Sequence, residues 1–198
     1  MANRYTDVDL MLLKRWDEVK GLREAFDELL DRMQDMIERA LGKVENAAAE
    51  REFLCEFDSK QPAVYFWKKE WATRSKEACI YFHLSDFAPI EFGKVEKDHP
   101  TMWLIVEDLR RLKIRESHED FAKVLKAGLA PELLVRWNHE DADSDSPLGK
   151  ECSDVSDEDR VHLVTDSEAL TKYAIDRLDE FAELVPAIDQ ALQKMTRR

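Results

Sequence analysis

The order Glu56, Asp58, Lys60 within "REFLCEFDSKQPAVYFWKKEW" (residues 51–71) is the first place where residue type and spacing could do chemistry. An acidic-x-Lys element on a strand sets a carboxylate and an ammonium on one face. In metal-dependent nucleases two carboxylates hold a divalent ion there while the lysine steers the attacking water. Asp58 and Lys60 have that spacing, but so do Glu18 and Lys20, in a stretch of helical periodicity. No neighbouring strand offers the upstream aspartate that such a site needs. Glu56, Asp58 and Lys60 are therefore weak catalytic candidates, set against a simpler reading as the turn after a first strand.

The remaining chemistries fail on spacing. Asp141, Asp143 and Asp145 alternate like the first ligands of an EF-hand, but position six is Ser146 instead of glycine and position twelve is Cys152 instead of glutamate. No two of the histidines (His83, His99, His118, His139, His162) stand four apart on a helix, so no zinc pair is expected. Cys55, Cys79 and Cys152 are an odd number without a C-x-x-C pair, which suggests neither a disulfide framework nor a thiolate metal site. The five glycines are isolated, so no loop can bring several amides to a phosphate. We expect no metal and no cofactor.

Charge is the one positive signal. The chain carries 30 Lys+Arg against 43 Asp+Glu, a net charge of −13, which disfavours nucleic-acid and anionic-membrane binding by the whole surface and favours basic partners. The eleven basic and eight acidic residues from Lys60 to Arg115 nevertheless leave that segment at +3. Lys68, Lys69, Arg74, Lys76, Arg110 and Arg111, interleaved with Tyr65, Trp67, Trp71 and Trp103, form a candidate nucleic-acid or partner surface. The alternative is that the aromatics are buried and the basic residues are the solvent face of a sheet.

These residues need elements to position them, and hydrophobic spacing predicts an α+β fold in a single domain of residues 1–198. A long helix is expected over 6–45, with a coiled-coil-like seam of Val19, Leu22, Phe26, Leu29, Met33, Met36 and Ala40. Forty residues at 1.5 Å each span about 60 Å, too long for one small sheet to cover. Either another part of the chain or a second subunit must lie along it. Five strand-like runs over 50–108 predict an antiparallel sheet of four to five strands, and a short helix over 117–127 follows, opened by Ser117 with Asp120. Residues 139–160 hold nine acids and read as a solvated acidic loop. A C-terminal helix is expected over 165–196, capped by Thr165, kinked near Pro186 and antiparallel to the first.

Three functions compete. The leading one is a non-enzymatic protein–protein interaction or regulatory module, a homo-oligomer joined through Leu22, Phe26, Leu29, Met33 and Met36. The second is an acidic inhibitor that imitates nucleic acid and occupies the groove of a nucleic-acid enzyme. The third is the divalent-dependent nuclease or nucleic-acid binder. No stretch has the roughly 18 apolar residues of a membrane span, and the start lacks the pattern of a secretory leader, so the expected compartment is the cytoplasm.

Overall fold

A computed structural model describes residues 6–58, 63–85, 90–91, 94–95 and 100–196. The fold is α+β, with a long N-terminal helix, a five-stranded antiparallel sheet and C-terminal helices.

The first helical stretch has one interruption. Helix α1 (Asp7–Lys14) gives way at Arg15, whose amide donates to both Met11 O and Leu12 O at 3.2 Å, and α2 (Trp16–Glu50) follows at once. The Ala47–Ala48–Ala49 run carries α2 five residues beyond the expected end, since alanine is the best helix former. It stops where Glu52 turns to φ 62°, a left-handed residue of the kind that closes helices, with its amide bonded 3.0 Å to Ala49 O.

Strand β1 (Phe53–Asp58) pairs with β2 (Ala63–Lys68), β2 with β3 (Ile80–Ser85), and β3 with β6 (Thr101–Val106). Between them the run expected as a fourth sheet strand forms a separate ladder, β4 (Ile90–Glu91) with β5 (Lys94–Val95). Helices α3 (His118–Gly128) and α4 (Pro131–Arg136) come next. The fifth sheet strand is β7 (Leu148–Glu151), from within the segment read as an acidic loop, giving the order β1-β2-β3-β6-β7. Helices α5 (Asp157–Leu163), α6 (Ser167–Ala182) and α7 (Val185–Thr196) complete the chain.

The sheet has one covered face. Cross-strand partners share a face, so Cys55, Phe66, Phe82, Leu104 and Leu148 line up on one side, and Glu56, Tyr65 and His83 on the other with Trp103 and Gly149. The first set packs under the helices: Phe181 of α6 stacks on Phe82 at 4.4 Å and lies 5.4 Å from Trp137. Trp71, fully buried, donates its indole N–H to Asp189 of α7 at 2.8 Å.

Three expectations need correction. First, α2 and α6 run parallel, because Ala40 and Lys43 meet Thr171 and Glu168 in the first turns of α6, and Arg51, two turns further along α2, grips Asp179 (Nε–Oδ1 2.6 Å) near the end of α6. Apolar spacing marks a face but carries no direction, and the sheet between the two helices returns the chain to the same end. Second, residues 139–160 are not one loop. Asp143 accepts from the amides of Asp145 (2.9 Å) and Ser146 (2.6 Å), a side-chain-stabilised turn that leads into β7, and α5 begins at Asp157. Third, the cap of α6 is Asp166, which accepts from the amides of Glu168 and Ala169, rather than Thr165. The C-terminal helix divides at Glu183–Leu184, with Pro186 in the first turn of α7, where a missing amide costs no helical bond.

Candidate functional site

Helix α2 changes character at Met33. From there Met33, Ile37, Ala40, Val44 and Ala48 are buried under α6, and Met36 is half-buried beside them. Before it the same stripe is exposed. Leu22 is 72% exposed and Trp16 60%, and Val8, Met11, Leu12, Leu13, Phe26 and Leu29 are also open to solvent. Among the described residues, eight of the eleven exposed large hydrophobic side chains thus fall between residues 8 and 29. Scattered exposed apolar residues are ordinary, whereas their concentration in one helical stretch makes that stretch a candidate surface. Of the five expected interface residues, Leu22, Phe26 and Leu29 belong to this arm, and Met33 and Met36 belong to the fold. The spacing missed Val8, Met11, Leu12, Leu13 and Trp16, which lie upstream of the heptad seam.

The flanks of the arm are polarised. Between Lys14 and Arg23 four basic residues (Lys14, Arg15, Lys20, Arg23) outnumber Asp17 and Glu18, with Asp7 and Asp9 preceding them, while Glu24, Asp27, Glu28 and Asp31 outnumber Arg32 in the stretch that follows. Exposed ion pairs Arg15–Glu18 (3.6 Å), Lys20–Glu24 (3.6 Å) and Arg23–Asp27 (3.9 Å) decorate it and contribute little individually.

The second surface is the uncovered sheet face. Tyr65 stacks flat on His83 at 4.9 Å and meets Tyr81 edge-on at 5.6 Å, and further along Trp103 lies 4.7 Å from His139. Beside Tyr65 and Tyr81 opens a groove of about 720 Å³, which Glu56, Asp58, Glu77 and Glu107 also line, together with Lys76 and Arg111. Burial pushes both phenols up, and carboxylates push further: Asp58 and Glu56 on Tyr65, Glu107 on Tyr81. The thiol of Cys55, on the opposite face, is pushed up to about 12, by burial first and then by Glu45 and Glu56.

The structure brings Glu56 and Asp58 to one face, and Lys60 lies outside the described residues. Among the described residues no group of three or more His, Cys, Asp or Glu is placed to hold a metal ion. The six basic candidates are dispersed. Lys68 and Lys69 line a groove beside Phe53 and Leu192, Lys76 and Arg111 line the acidic groove, Arg110 faces a third depression beside Ser117, and Arg74 is exposed in the turn after β2. Lys68 pairs with Glu52 at 3.4 Å and Arg111 with Glu77 at 2.7 Å. No described helix is long and apolar enough to cross a membrane.

A third cluster is structural and centres on the buried Arg177. Arg177 of α6 reaches Asp154 at 2.7 Å, pairs with Glu180, and lies 4.8 Å over the ring of Tyr173, while Lys150 of β7 pairs with the same Glu180. Each charge has a partner, the condition under which β7 can carry a lysine on the covered face.

Comparison of the chain with protein-family models, with curated proteins and with solved structures gives no match.

Proposed function

We propose that the chain is a non-enzymatic interaction module that self-associates through its N-terminal arm, two copies packing their arms antiparallel. The observation that carries this reading is the set of eight exposed large apolar residues between Val8 and Leu29. Charge selects the occupant and its direction. Antiparallel pairing about Leu22–Phe26 lays the basic stretch from Lys14 to Arg23 of one arm against the acidic stretch from Glu24 to Arg32 of the other, and a two-fold axis satisfies both ends at once.

The test is sedimentation across concentration. Wild type is expected at twice the 23.2 kDa chain mass, and Leu22→Glu/Phe26→Glu, at exposed positions, as a folded monomer. A charge exchange tests direction. Lys20→Glu/Arg23→Glu and Glu24→Lys/Asp27→Lys should each weaken self-association and, mixed, should restore a heterodimer. A wild type that sediments as a monomer at every concentration refutes the reading.

A further inference from the structure

The groove on the open sheet face has features that the arm does not share, and its reading is independent of self-association. Its walls come from five places in the chain: β1 with Glu56, β2 with Tyr65 and Trp67, the turn before β3 with Lys76 and Glu77, β3 with Tyr81, and the segment after β6 with Glu107 and Arg111. Four carboxylates line it against two cations, and one of those cations is already committed. Arg111 bonds Glu77 at 2.7 Å and Asp108 at 3.1 Å. Glu56 and Glu107, both exposed, have no cationic partner among the described residues. Trp67, only 8% exposed, also lines the groove, and its buried indole reports on changes there.

We infer that this groove takes an arginine side chain presented by an extended segment of another protein. Aromatic rings beside unpaired carboxylates attract a guanidinium twice, through their negative faces and through charge. The phenols of Tyr65 and Tyr81 already sit in this negative field. The planar guanidinium is the fitting cation, since it stacks on rings and is more weakly hydrated than an ammonium. An extended segment also makes contacts along the walls of the groove, which a free cation does not. The same four carboxylates repel a phosphate backbone, so the aromatic face is closed to nucleic acid at this end.

The experiment titrates the full chain with a short fluorescein-labelled peptide of alternating glycine and arginine, and with its glutamine counterpart, following anisotropy and the Trp67 indole N–H resonance, assigned with Trp67→Phe. The arginine peptide should saturate and shift that resonance, and the glutamine peptide should not. Glu56→Gln/Glu107→Gln, at exposed positions that leave the fold intact, should weaken binding by roughly tenfold or more. Binding that is undiminished in this variant marks a diffuse response to an acidic surface and overturns the inference. So does free arginine amide that matches the peptide, or a peptide that fails to move the Trp67 resonance.

Discussion

Replacing Gly149 by alanine tests the placement of β7 and the open face together. A Cβ built at Gly149 would lie 2.3 Å from Cζ3, 2.5 Å from Cε3 and 2.9 Å from Cη2 of Trp103, its cross-strand partner. Carbon atoms in contact rest about 3.5–4.0 Å apart, so the indole must retreat by more than about 1 Å. It cannot do so without cost, because the ring also packs 4.7 Å from His139. Overpacking of this kind costs about 1–3 kcal/mol, and the reduced entropy of the unfolded chain returns about 0.4–1 kcal/mol. The net expectation is a loss of about 1–2 kcal/mol in urea unfolding with an unchanged m-value. Trp103→Ala in the same chain removes the clash, so Gly149→Ala added to it should be neutral or stabilising, leaving a coupling within the roughly 0.5–3 kcal/mol of contacting residues. A single Gly149→Ala variant as stable as wild type, or one whose effect is the same with and without Trp103, refutes the pairing of β7 against β6.

Two further predictions concern buried groups. Arg177→Met should cost about 2–3 kcal/mol in chemical denaturation, less than the roughly 3–5 kcal/mol of a fully orphaned buried charge, since Lys150 still pairs with Glu180. Burial works to raise the pKa of Asp154, but the hydrogen bond and charge of Arg177 outweigh it and hold that carboxyl below its usual range. Its contribution is therefore present at neutral pH and lost as pH falls through the folded pKa. Asp154→Asn should show a deficit under about 1 kcal/mol at pH 7, for a side chain 62% exposed, that closes below about pH 4. All three thiols are raised by burial, Cys55 to about 12. At pH 8 native protein should react with a thiol reagent far more slowly than urea-unfolded protein, whose thiols have a pKa of about 8.5. One rapid equivalent in the native state would contradict the packing around that cysteine.

The fold was largely legible where periodicity acts locally. Alternation over Phe53, Cys55 and Phe57 and the aromatic runs that follow mark β1, β2, β3 and β6, and Ser117 with Asp120 marks the start of α3, where both halves of the capping box form. What escaped is non-local. Strand β7 contains only Leu148 as a large apolar residue, and it belongs to the sheet because Gly149 admits Trp103 and because Glu180 meets Lys150. Neither relation is written in the segment itself. The groove was half legible: Glu56, Asp58, Tyr65 and Trp67 stand within twelve residues of one another, whereas Tyr81 and Glu107 join them only through strand pairing. The left-handed Glu52 that ends α2 occupies a position usually held by glycine or asparagine, so no residue type announced it.

The direction of α6 decides what happens to the rest of the long helix. At 1.5 Å per residue the 35 residues of α2 extend about 52 Å, and the 16 residues of α6 about 24 Å. Helix α6 starts beside Ala40–Lys43 and runs toward Arg51, so its path leads away from the arm. Helix α7 continues to the far end, where Asp189 bonds Trp71 and the helix packs on α3. Had α6 run antiparallel, α7 would have followed it along Leu29, Phe26 and Leu22, and the two terminal seams would have satisfied each other within one chain. Parallel packing instead spends the C-terminal apolar stripe on the sheet and on α3, leaving the eight exposed residues of the arm without an intramolecular cover among the described residues. For residues 8–29 the described residues of the chain therefore supply no cover, and it is this uncovered stretch that the proposed self-association would use.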